Sequence, residues 1–153
     1  MGIIVQKFGG TSVATPERLL NVCNHIKKEL EQSNKLIVVV SAQGKTTDKL
    51  ISEEFELDSN PNVREHDVLL SVGEQITIAK LCILLNKLNI PSVSLTGWQI
   101  PIVTDSNYTD AKIKYIGKER ILKEISANKV VVVAGFQGID ENQNITTLRK
   151  RWF

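Results

Sequence analysis

Leu36-Ile37-Val38-Val39-Val40, running directly into Ser41-Ala42-Gln43-Gly44-Lys45-Thr46-Thr47-Asp48, is the stretch on which the fold turns. A short unbroken run rich in β-branched residues reads as a strand buried on both faces, and the polar segment after it as the loop at that strand's carboxyl end. Ile3–Val5 and Val130–Ala134 have the same character, and Ser92–Leu95 and Ile102–Thr104 are weaker strands. Between the first two runs the sequence predicts a helix. Thr15 is its N-cap, Pro16 opens it, and Leu19, Val22, Cys23, Ile26 and Leu30 share one face. A longer helix is expected from Asp67 to Leu88, with Leu69, Val72, Ile76, Ala79 and Ile83 as its apolar stripe and Pro91 beyond its end. A third covers Lys118–Ala127. Strands alternating with helices predict an α/β fold around a mostly parallel sheet, which places ligands at the carboxyl ends of its strands.

The 153 residues match one ordinary domain or part of a larger one, and 42% apolar with 24% charged residues is the balance of a globular chain. A net charge of +2 is too small to argue for nucleic acid, and the only basic run is Arg149-Lys150-Arg151. Cys23 and Cys82 lie in apolar helical patterns and read as core thiols of a reducing compartment. His25 and His66 have no metal-ligand spacing around them, so no metal site is expected from protein side chains. The start, Met1-Gly-Ile-Ile-Val-Gln-Lys7, meets a charge too early for a signal peptide, and the unbroken apolar runs are too short to span a bilayer. A cytoplasmic protein with no membrane partner is the expectation.

Four segments carry polar chemistry. The first strand ends in Lys7-Phe8-Gly9-Gly10-Thr11-Ser12, where glycines permit a sharp turn and offer N–H groups to an anion beside a lysine. A plain strand-to-helix turn explains the same residues. The loop Ser41–Asp48 offers hydroxyls at Ser41, Thr46 and Thr47 to a small polar ligand, or an N-cap to the next helix. It is not a P-loop, because Val39 stands where that pattern needs its first glycine. Gly73 inside the long helix costs about 1 kcal/mol relative to alanine, which implies that something approaches the backbone there. Glu74 lies off the apolar stripe; it is a solvated glutamate or a partner for an ammonium group. Ala134-Gly135-Phe136-Gln137-Gly138 suits a close approach to a ligand, or a turn beginning a hairpin.

Taken in order, Lys7-Phe-Gly-Gly-Thr-Ser12, Ser41-Ala-x-Gly-x-Thr-Thr-Asp48, Gly73-Glu74, Leu95-Thr-Gly-x-Gln99, Ala134-Gly-Phe-Gln-Gly138 and Thr146-Thr-Leu148 resemble the pattern of aspartate kinases over residues 3–148. Pro101 departs from it, a glycine being usual there. Glutamate 5-kinases, N-acetylglutamate kinases and uridylate kinases share the fold but lack most of these strings. The resemblance implies an amino-acid-kinase-like three-layer sandwich, here the N-terminal half of the kinase domain. It implies transfer of the γ-phosphoryl group of ATP, with Mg2+, to the β-carboxylate of L-aspartate, at the head of lysine, threonine and methionine biosynthesis. Lys7, Phe8, Gly9 and Gly10 would form the ATP-phosphate loop, with Lys7 catalytic. Ser41, Lys45, Thr46, Thr47 and Glu74 would bind aspartate, Glu74 facing its ammonium. Complete members are oligomers.

In that family Thr-Thr-Leu continues as Gly-Arg-Gly-Gly-Ser-Asp, whereas here Leu148 is followed by Arg149-Lys150-Arg151-Trp152-Phe153. Writing the family's residues as GGA AGA GGT GGT TCT GAT and adding a single A in front gives AGG AAG AGG TGG TTC TGA. Those codons read Arg-Lys-Arg-Trp-Phe and stop. Residues 149–153 are therefore expected to be an out-of-frame tail on a partial catalytic domain spanning 1–148, with negligible kinase activity.

Overall fold

The computed structural model describes residues 2–149; Lys150–Phe153, most of the expected out-of-frame tail, lie outside the described residues. The elements run β1 (Ile3–Phe8), α1 (Pro16–Glu31), β2 (Lys35–Val40), α2 (Thr46–Leu57), α3 (Val63–Leu70), α4 (Val72–Lys87), β3 (Ser92–Leu95), β4 (Ile102–Thr104), β5 (Ile113–Ile116), α5 (Glu119–Ser126), β6 (Val130–Ala134), β7 (Gln137–Ile139) and β8 (Ile145–Thr147). The five strands expected from sequence are all present, β1 running three residues past its expected end. Strands β5, β7 and β8 are additional.

One sheet has the order β1-β2-β6-β3 and is parallel throughout, because helices carry the chain back between its strands. Its alternating side chains serve two cores. Leu36, Val38, Val40, Val130 and Val132 pack with Val22 and Ile26 of α1 and Ile78, Leu81 and Leu85 of α4. Val131 and Val133 pack on the opposite face with Leu95, Ile102 and Ile125 of α5. Helices on both faces of this sheet make the expected three-layer α/β arrangement. A second, mixed sheet has the order β5-β4-β7-β8. On the α5 side cover is incomplete: Ile3 is 52% and Val5 62% exposed on the edge strand β1.

Local signals in α1 hold. Thr15 Oγ1 accepts a hydrogen bond from the Arg18 N–H at 3.2 Å, Pro16 opens the helix, and Leu19, Val22, Cys23 and Ile26 are buried. The long helix differs from its expected form in two respects. It begins at Val63 and is interrupted at Ser71, whose carbonyl accepts a hydrogen bond from the buried Gln137 side chain. The expected stripe is also the wrong face. Val72, Ile76, Ala79 and Ile83 point outward, and the core takes Leu70, Thr77, Ile78, Leu81, Cys82 and Leu85. Both faces are apolar, so periodicity alone does not choose between them. Residues Val63–Lys87 together are long and apolar enough to cross a membrane by composition, but half of their most apolar 18-residue stretch is buried inside this fold.

Asp67 ties α3 to the second sheet. Fully buried, its carboxylate accepts hydrogen bonds from the N–H of Thr109, the N–H of Thr147 and the Thr147 hydroxyl at 2.8–3.2 Å. Asp67→Ala leaves those donors buried without a partner. It is expected to destabilise the fold by about 3 kcal/mol, read as a lower urea midpoint, and an unchanged midpoint would remove Asp67 from this role. Burial pushes both the Cys23 and Cys82 thiols up to about 11. A thiol reagent at neutral pH should therefore label neither cysteine until denaturant is added; rapid labelling of the native chain would contradict the packing described.

Candidate functional site

The carboxyl ends of β1, β2 and β6 converge. The Ser41 N–H donates to the Phe8 carbonyl at 3.2 Å, and the Gly135 N–H to the Val40 carbonyl at 2.9 Å. The Gly44 N–H donates to the Gly10 carbonyl at 2.9 Å, so the loops after the first two strands are bonded backbone to backbone. A Cβ on Gly10 would lie 3.0 Å from the Ala42 carbonyl oxygen, which is why this approach suits glycine. Beside these loops opens a cleft of about 1080 Å³. Lys7, Gly10, Ser41, Thr47, Asp48, Glu74, Gly135 and Phe136 line its polar part, and Val5, Val39, Ile102, Ile116 and Val133 its apolar part.

Five of the nine residues expected from sequence, Lys7, Gly10, Ser41, Thr47 and Glu74, line this cleft. The other four do not. Side chains alternate along β1, so with Lys7 on the cleft side Phe8 turns to the opposite face, where it packs against the α1 core, its ring centroid 6.2 Å from that of His25. Gly9 is exposed with open space around it. Lys45 is exposed at the N-cap position of α2, and the Thr46 hydroxyl donates to the Gln43 carbonyl at 2.6 Å in that same turn. The loop after β2 thus starts a helix without a side-chain cap and forms a wall of the cleft.

Glu74 is not solvated. It lies in the first turn of α4, is 3% exposed and lines the cleft. Gly73 explains how it gets there: a Cβ at this position would fall 2.7 Å from the Ala42 Cβ, so the bare backbone lets α4 close against the end of β2.

Sequence reasoning passed over Lys112 at the rim and assigned Arg149 to an out-of-frame tail. Lys112 lines the cleft, and so does Arg149, which forms a two-pronged ion pair with Asp110 at 2.6 and 2.9 Å. The Arg149 guanidinium beside Asp110 holds that carboxyl below its usual range. Nothing in the spacing of residues 105–112 signals that they fold back over the strand ends. Gln137 was singled out only as part of a glycine-rich turn. It starts β7, and its side chain bonds the Ser71 carbonyl and the Gly97 N–H, so its work is inside the protein.

Comparison with known proteins agrees with this fold. The chain is 50% identical over 148 residues to an aspartokinase of Bacillus sp. (strain MGA3) and 47% identical over 148 residues to that of Geobacillus stearothermophilus. Each alignment covers 97% of this chain, and the chain spans only 36% of the length of those relatives. Among solved structures, aspartate kinase from Synechocystis superposes with a TM-score of 0.82 at 42% identity, covering 97% of this chain and 24% of that one. Escherichia coli aspartokinase III in complex with aspartate and ADP shares the fold, with a TM-score of 0.74 at 19% identity over 95% of this chain and 43% of that one. The model of the amino acid kinase family matches residues 2–150. With that match, the parallel sheet and the cleft at its strand ends, the chain belongs to the amino acid kinase family.

Proposed function

We propose that this chain is the amino-acid-binding part of an aspartate kinase, and that by itself it binds L-aspartate weakly without phosphorylating it. The observation that supports this reading most is buried Glu74 lining one cleft with Lys7, Ser41 and Thr47. A free α-ammonium group complements the Glu74 carboxylate, while the Ser41 and Thr47 hydroxyls can donate to the substrate's carboxylates. N-acetylglutamate lacks that ammonium, so Glu74 favours aspartate over it. The nucleophile would be the β-carboxylate of aspartate, already ionised at neutral pH with a pKa near ~4, so no base need activate it. What remains is to orient the acid and offset charge on the phosphates. Lys7 supplies a cation in the cleft beside the glycine turn, where it would offset charge on phosphate oxygens. Among the described residues no group of three or more His, Cys, Asp or Glu could hold a metal ion. Mg2+ enters this reading with the nucleotide, where it would neutralise phosphate charge.

The chain spans 36% of the relatives' length. Its residues from 149 onward are read as out of frame, which DNA sequence across Leu148 tests directly. Calorimetry with L-aspartate, N-acetyl-L-glutamate and MgATP should give heat with aspartate alone. Glu74→Gln should weaken that binding at least about tenfold, as expected for loss of a charge-assisted contact. Preference for N-acetyl-L-glutamate would sink the assignment. With aspartate, MgATP and hydroxylamine the chain should form no hydroxamate. Hydroxamate that needs both substrates and disappears in Lys7→Ala would show instead that these residues suffice for catalysis.

A further inference from the structure

The chain leaves the second sheet at the wall of the cleft. Just after β8 the Leu148 N–H donates to the Phe136 carbonyl at 2.9 Å, and Leu148 forms a bridge with Ala111. Arg149 follows, held to Asp110 by its two-pronged ion pair, and both Leu148 and Arg149 line the cleft. The cleft is larger than a small amino acid requires. Drug-sized ligands fill pockets of about 300–1,000 Å³, and this one holds about 1080 Å³. Its polar end has Glu74, Ser41 and Thr47; its other half is walled by Val5, Ile37, Val39, Ile113, Ile116 and Val133. That half is open, with Val5 62% and Ile113 and Ile116 each 47% exposed. A contiguous apolar surface of this kind marks a docking site.

The sequence beyond Arg149 supplies an occupant. Lys150, Arg151, Trp152 and Phe153 follow it. Four extended residues reach about 14 Å, enough to carry an indole and a phenyl ring from the rim across a cleft of this volume. Aromatic rings are the side chains with the most apolar area to bury, about 150–250 Å² each. Lys150 and Arg151 can lay their stems on the rim and keep their charges in water. So short a tether holds the rings at an effective concentration in the millimolar range, about what a weak contact needs. We propose that Trp152 and Phe153 dock on the apolar half of their own chain's cleft and leave its polar end open. The contact follows from reach and side-chain chemistry, whichever reading frame supplied the residues.

Tryptophan fluorescence tests this. Trp98 and Trp152 are the two tryptophans, so the wild-type spectrum less that of Trp152→Phe is the emission of Trp152. It should lie to the blue of its position in urea. With about two-thirds of chains docked, acrylamide should quench it about threefold less than in urea. Neither reading should change between about 2 and about 100 μM chain, since a tethered contact is independent of concentration. Val5→Glu and Ile116→Glu each put a charge in the apolar half and should abolish both readings. Their circular dichroism spectra should be unchanged, because both side chains are exposed. Ile83→Glu, a like change on the outer side of α4, should keep both readings. Emission already at its urea position in the native chain would overturn the proposal. So would protection that survives both cleft variants, or protection that grows with concentration and so belongs to a second copy.

Discussion

A single backbone carbonyl, that of Ser71, fixes how the helical layer meets the second sheet. It accepts a hydrogen bond from Gln137 Nε2, while Gln137 Oε1 accepts another from the Gly97 N–H at 3.0 Å. One buried amide thus joins the helix break, the turn after β3 and the start of β7. Four residues earlier, Asp67 adds a charged link from α3 to Thr109 and Thr147. Buried polar groups are costly unless every partner is in place, so this cluster admits one arrangement of its elements. Glu74 follows Ser71 by three residues and inherits its position in the cleft from that arrangement.

The parallel core was legible because its chemistry is local. Val130–Ala134 can be nothing but a strand between turns, and Thr15-Pro16 marks a helix start through caps that involve only neighbouring residues. The buried face of α4 was not legible, since residues 72, 76, 79 and 83 are as apolar as residues 78, 81 and 85. Periodicity measures contrast between faces, and here there is little contrast. The same cause made Glu74 look solvated: its place off one apolar stripe is its place on the other.

At the site, sequence found the loops better than the side chains. Phe8 and Thr46 lie inside the most recognisable strings of the chain, yet one packs into the core and the other braces a helix start. Several glycines of those strings answer to protein packing as well. A Cβ on Gly97 would sit 2.5 Å from the Gln137 carbonyl oxygen, and one on Gly138 would sit 2.5 Å from Thr104 Cγ2. A family signature therefore records the contacts between its own segments alongside the contacts to ligands. Only three-dimensional placement separates the two. Lys112 shows the converse, lining the cleft from a loop with no sequence signal of its own.

The strand order β1-β2-β6-β3 carries a consequence for synthesis. Among the described residues β3 pairs with β6 alone, and β2 finds its second neighbour in β6. As the chain leaves the ribosome, β1, α1 and β2 can associate early, but the middle of the sheet stays open until residue 134 has emerged. Helix α4, apolar on both sides, waits through that interval without the surface it is to pack on. The vulnerable period is thus written into the topology, as a sheet whose strand β6 is made only after both of its neighbours.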